Sequence, residues 1–131
     1  VHAGWRGTAA GIAARAAEKM AEDYGCDPQN ILAAIGPGIG PCCFETHEDV
    51  PQGLRNGLRD EAEAFIRPLP GGEKYQVDLK GANRRWLELS GLLPEHIAVC
   101  SACTACDLDT FWSHRIQGQR RGSMAAMIQL L

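Results

Sequence analysis

ILAAIGPGIGPCCFE, residues 31 to 45, is the stretch whose reading decides the fold. Its first six residues form a short apolar run closed by glycine, the pattern of a buried strand. The segment that follows, GPGIGPCCFE, carries three glycines and two prolines and is irregular for most of its length. It reads as a fixed loop at a strand end.

Upstream, AAGIAARAAEKMAEDY (9 to 24) places Ile12, Ala16, Met20 and Tyr24 on one helical face, with Thr8 as N-cap and Gly25 as the stop. Downstream, Val50, Leu54, Leu58, Ala62 and Phe65 have helical spacing, which predicts one helix from Glu48 to Arg67. PLPGGE (68 to 73) is a turn and KYQVDL (74 to 79) alternates as a strand does. Asp78 then caps a helix running to Gly91. Three further strands are expected at HIAVC (96 to 100), FWSHRI (111 to 116) and SMAAMIQLL (123 to 131). Helices and strands in this order define an α/β (α+β) fold, with no repeat or linker to divide residues 1–131 into domains.

Composition narrows the function. A 131-residue chain with 45% hydrophobic residues builds one ordinary core. Its 13 basic and 16 acidic side chains, net −3, give no electrostatic footprint for nucleic acid or a membrane surface, so a small polar ligand is the expected partner. No apolar run reaches the roughly 18 residues of a membrane helix, and VHAGWRG has no signal-peptide pattern. The reading is a cytoplasmic protein with all six cysteines reduced.

Three segments carry chemistry-bearing residues. HAGWRG (2 to 7) offers His2 at a strand end, two glycines for a tight turn, and Arg6 just before a helix; together they suit a metal or an anion, and His2 and Trp5 equally suit structural roles. The glycine-rich loop exposes amides to a ligand, and a thiol beside such amides is readily deprotonated. In CSACTACDLDTFWSHR, Cys100, Cys103 and Cys106 have the two-residue gaps of zinc sites, but the second pair or histidine arm that completes one is missing from this segment. These cysteines are therefore expected as buried free thiols. His114 and Arg115 face a ligand or end a solvated strand.

HAGWRG, AIGPGIGPCCFE (34 to 45), CTACDLDTFWSHR (103 to 115) and GSMAAMI (122 to 128), in this order, resemble the signature blocks of the laccase-domain family. The family is also known as multicopper polyphenol oxidases, peptidoglycan-editing factors and zinc-dependent purine nucleoside phosphorylases. The resemblance implies layered mixed sheets flanked by helices and a chain that is the C-terminal portion of one domain, its N-terminal portion absent. It further implies a zinc held by two histidines and a cysteine. Only His2 lies in a matching motif, and none of the six cysteines does, so none takes the missing place. Implied too are phosphorolysis of adenosine, inosine and methylthioadenosine, with adenosine deamination as a second activity. Arg6, Gly7, Thr8, His114 and Arg115 become the candidate substrate residues, with phosphate near Arg6 and the amides of Gly7 and Thr8. The family's other name implies hydrolytic editing of a peptidoglycan precursor, and an isolated chain with one zinc ligand implies no catalysis. A copper oxidase needs more than four histidines. Many members read Thr-Gly-Arg where this chain has Arg121, Gly122 and Ser123.

Overall fold

The structure, a computed structural model, describes residues 1–129. Among the described residues, two small sheets and five α-helices make a mixed α/β fold. Strands β1 (Ala33–Ile35) and β5 (Ile97–Val99) pair in parallel. Strands β2 (Glu45–Thr46), β3 (Ile66–Pro68) and β4 (Tyr75–Val77) form an antiparallel sheet with β4 in the middle. The mixed character lies in having one sheet of each sense.

The helix expected over 9–24 starts later, at Ile12, and a separate short helix precedes it. Helix α1 (Trp5–Ala9) ends at Ala10, and Gly11, in the left-handed conformation at φ 70°, turns the chain into α2 (Ile12–Tyr24). Thr8 is thus the fourth residue of α1 and not an N-cap. The apolar face of α2 is also rotated from the expected one. Ala13, Ala14 and Ala17 are buried, whereas Met20 is 42% exposed and Tyr24 80%. Small alanines let α2 approach α4 (Leu79–Leu89) closely, and the bulky residues are left outside that contact.

The helix expected from Glu48 to Arg67 breaks in the middle. Helix α3 (Asp49–Leu58) stops where Arg59 takes φ 56°, a 3-10 segment covers Arg59–Phe65, and β3 follows. Periodicity persisted because Leu54, Leu58 and Ala62 all enter one core with Val50, Phe44, Ile66, Val77, Leu79 and Ala82. Gly57 is where α1 meets α3: a Cβ there would overlap the Ala9 carbonyl oxygen.

Helix α4 begins as expected. The Asp78 carboxylate accepts from the Gly81 amide at 3.0 Å, a cap worth about 1 kcal/mol. Gly81 is required here, since a Cβ would lie 2.7 Å from that carboxylate and 2.9 Å from the Phe65 ring. Trp86 borders both this core and a second one, formed by Ala13, Ala17, Ile31, Leu87, Leu92 and Ile97, and its indole N–H donates to the Thr8 carbonyl at 2.7 Å. The two cores are joined through α1 and α4.

Two expected strands are absent from the described residues. FWSHRI enters a helical turn, α5 (His114–Gln117), because Ser113 and Gln117 close on each other through backbone and side-chain hydrogen bonds. Residues 121–129 carry no helix or strand, and 130–131 of the last expected strand lie outside the described residues. No helix among the described residues is long and apolar enough to cross a membrane.

Candidate functional site

Segment 2–7 leads into α1, a helix of only five residues. His2 is exposed and its ring lies over Gly4, where a Cβ would come 3.1 Å from Nε2. Arg6 is also exposed, its guanidinium stacked 4.3 Å from the centre of the Trp5 ring. Thr8 has a different place. It is 0% exposed, its amide donates to the Gly4 carbonyl at 2.8 Å, and its hydroxyl accepts from Asn83 at 2.8 Å and donates to the Ala3 carbonyl at 3.3 Å. The Thr8 amide, expected to turn to phosphate, is already engaged inside α1. Thr8 ties α1 to α4.

The sequence segments meet at a hollow of about 430 Å³. Trp5 borders it from the first segment, Phe44, Glu45, Thr46 and His47 from the end of the glycine-rich loop, and Arg115 from the third. Arg115 donates to the Glu45 carbonyl at 2.8 Å and stacks 5.2 Å from the Phe44 ring centre. Lys74 closes the rim, ion-paired with Glu45 at 2.7 Å, and its hydrogen bond and charge hold the Glu45 carboxyl below the usual range. His114 is exposed on α5, and its Nδ1 accepts from Arg121 at 3.2 Å.

A second group of side chains forms at the carboxyl ends of β1 and β5. The Cys100 amide donates to the Ile35 carbonyl at 2.8 Å and the Thr104 amide to the Gly38 carbonyl at 3.1 Å, so the two loops run on side by side. Cys42, Cys43, Cys103 and Cys106 are thereby gathered, their sulfurs all within 4.8 Å of one another, in a set able to hold a metal ion. Of the three cysteines expected as buried thiols, Cys103 is buried, Cys100 half-buried and Cys106 exposed; Cys42 is exposed as well. Cys103 is 9% exposed and accepts the Gly40 amide at 3.1 Å. Burial pushes the Cys103 thiol up, but the amides of Gly40, Ala105 and Cys106 outweigh it and hold the thiol at about 6. Cys106, bonded to Cys43, Cys42 and Cys103, is pushed up to about 12. Cys100 faces another partner: the carbonyls of Cys100 and Ala102 accept from the buried Lys80 ammonium at 2.8 and 3.0 Å.

Sequence reasoning had each half of the thiol group and missed their meeting. The signal was present in Cys42 and Cys43 after one strand and Cys103 and Cys106 after another, since parallel strands bring their carboxyl-end loops together. Lys80 and Asn83 carried no signal, as both are ordinary polar residues of a helix pattern. The zinc of the resembled family does not find its ligands here. Among the described residues the thiol set is the one group of three or more candidate ligands, and His2 is outside it.

An α/β chain with a hollow built from three separated signature segments is an enzyme-like domain. The whole chain, residues 1–131, matches the family described as multi-copper polyphenol oxidoreductase laccase, and the protein belongs to that family. It is similar to purine nucleoside phosphorylase YlmD of Geobacillus stearothermophilus, 41% identical over 97% of this chain and 46% of that protein. The adenosine deaminase RL5 of an unknown prokaryotic organism is 33% identical over 92% of this chain and 45% of RL5. The crystal structure of YlmD from Geobacillus stearothermophilus superposes with a TM-score of 0.82 at 41% identity, over 88% of this chain and 42% of that one. The chain thus spans about half the length of the curated relatives it matches.

Proposed function

We propose that the protein carrying this chain is a zinc-dependent purine nucleoside phosphorylase of the cytoplasm, acting on adenosine, inosine and methylthioadenosine. The observation that carries the reading is the hollow of about 430 Å³ shared by Trp5, Phe44 and Arg115, one residue from each of three segments. That volume is in the range of small-molecule sites. Trp5 and Phe44 supply aromatic surface for a purine, and Arg115, with Lys74 at the rim, supplies cationic donors for phosphate.

Arg6 and Gly7 extend the phosphate-binding side, and His114 is a further substrate residue, oriented by Arg121. Thr8 acts through packing, holding α1 in place. His2 is one zinc ligand. A complete zinc site needs further ligands beside His2, and no step is assigned to the zinc from these residues.

The test is release of free purine base from adenosine and inosine by the whole protein. Strict dependence on phosphate, with loss of zinc and turnover in His2→Ala, is the expected result. Release of an amino acid from a peptidoglycan precursor, with no phosphorolysis, would replace this reading with that of an editing hydrolase. Adenosine deamination is a second activity favoured by the similarity to RL5, and formation of inosine without phosphate measures it.

A further inference from the structure

We propose that Cys42, Cys43, Cys103 and Cys106 form a tetrathiolate zinc site, separate from the one to which His2 belongs, that staples the two loops bordering the hollow. Four sulfurs at about 2.3 Å from a tetrahedral zinc are roughly 3.8 Å from one another. Here Cys42 and Cys106 are 3.7 Å apart, Cys43 and Cys106 3.4 Å, and no pair of the four exceeds 4.8 Å. A metal enters with sulfur shifts of no more than about 1 Å.

Chemistry points the same way. An all-sulfur, four-membered, closed set selects zinc among the common divalent ions and leaves no open position for substrate, which is the pattern of a structural site. Without a metal, the four sulfurs meet one another only as thiols, which are weak donors and weak acceptors. The backbone is already arranged for thiolate: the Gly40 amide is directed at the Cys103 sulfur at 3.1 Å. Binding releases the thiol protons to solvent and leaves the metal state unchanged.

The consequence concerns the hollow. Cys43 is followed directly by Phe44 and Glu45, which border it, and Cys106 begins the stretch that ends at Arg115. Backbone pairing between the loops is confined to a bridge at Gly38 and Cys103 with the flanking hydrogen bonds. A zinc at the four sulfurs joins the loops covalently beyond that point, directly before Phe44 enters the wall of the hollow.

The experiment measures metal, so it does not depend on the phosphorolase reading or on activity. The whole protein is purified from zinc-supplemented medium without chelator, beside His2→Ala and the double variant Cys103→Ser/Cys106→Ser. One zinc per chain is expected to remain in His2→Ala and to be lost from the double variant. Cobalt-loaded His2→Ala is expected to show the visible bands and sulfur-to-cobalt charge transfer of four thiolates. Cys42→Ser, at an exposed position, should lose about a quarter of that charge-transfer intensity. Should the double variant fail to fold, the cobalt spectra of His2→Ala and Cys42→Ser decide. Zinc content unaffected by the cysteine changes, a cobalt spectrum without thiolate bands, or a Cys43–Cys106 disulfide in the protein as isolated would each overturn the proposal. Loss of turnover in His2→Ala with this zinc retained leaves the two sites independently tested.

Discussion

Replacing Lys80 by methionine isolates one polar device behind the thiol loops. Lys80 is on the first turn of α4, 9% exposed, and its ammonium donates to the carbonyls of Cys100 and Ala102 at 2.8 and 3.0 Å. Methionine preserves the length and apolar packing of the stem while removing both donors. Each hydrogen bond to a charged group contributes about 1.5–3 kcal/mol, which sets an upper bound near 6 kcal/mol for the two. Desolvation of the ammonium offsets part of this, because methionine no longer has a charge to bury. The net destabilisation expected for Lys80→Met is therefore about 2–3 kcal/mol. Urea unfolding followed by tryptophan fluorescence measures it as a lower midpoint at unchanged slope. Amide hydrogen exchange then locates it: protection should fall most at Cys100 and at Thr104, whose amides donate to the first loop. A midpoint shift below about 0.5 kcal/mol, with protection at those amides unchanged, would refute the clamp and leave Lys80 as a packing residue.

Thr8→Val should destabilise by about 1–3 kcal/mol in the same assay, since it leaves the buried Asn83 amide nitrogen with the Leu79 carbonyl alone as acceptor, while the Asn83 carbonyl oxygen is already without a partner. Gly57→Ala should also destabilise, by about 1 kcal/mol net, because forcing α1 away from α3 costs more than the roughly 1 kcal/mol gained in helix propensity; a raised Tm would show that α1 yields freely. Lys74→Met should return Glu45 to the ordinary carboxylate range. The Glu45–Lys74 contact is present above that range and lost as pH falls through the lowered value, so the change is read as an upward shift of the Glu45 titration by NMR.

Much of the fold was legible because local rules and packing agreed. Asp78 capping α4, Gly25 ending α2 and the apolar run at 31–36 each follow from a few neighbouring residues, and each is where the sequence places it. Legibility ended where tertiary contacts overruled periodicity. Nothing in the spacing of Leu54, Leu58 and Ala62 distinguishes one helix from a helix followed by a 3-10 segment, since both deliver these side chains to the same core. Nor does the pattern of 9–24 tell that α2 turns its alanines inward; that depends on how closely α4 approaches, which is a property of the partner helix. FWSHRI has strand composition, yet Ser113 and Gln117 bond across one helical turn and take it out of any sheet.

For the site, the decisive step was topological and not compositional. Cys103 and Cys106 taken alone lack half of a zinc site, and Cys42 and Cys43 taken alone are two thiols in a glycine-rich loop. Their separation of some sixty residues hides the relation until β1 and β5 are known to be parallel neighbours. Once they are, the loops leaving the two strands must start side by side, and four thiols converge with no further assumption about side chains. Thr8 shows the converse. Its position beside Arg6 and two glycines suggests ligand contact, but with α1 beginning at Trp5 its amide is already inside the helix and its hydroxyl points at Asn83. A one-turn shift in where a helix starts is enough to move a residue from the ligand's side to the core, so site residues near helix ends are the ones that sequence places least securely.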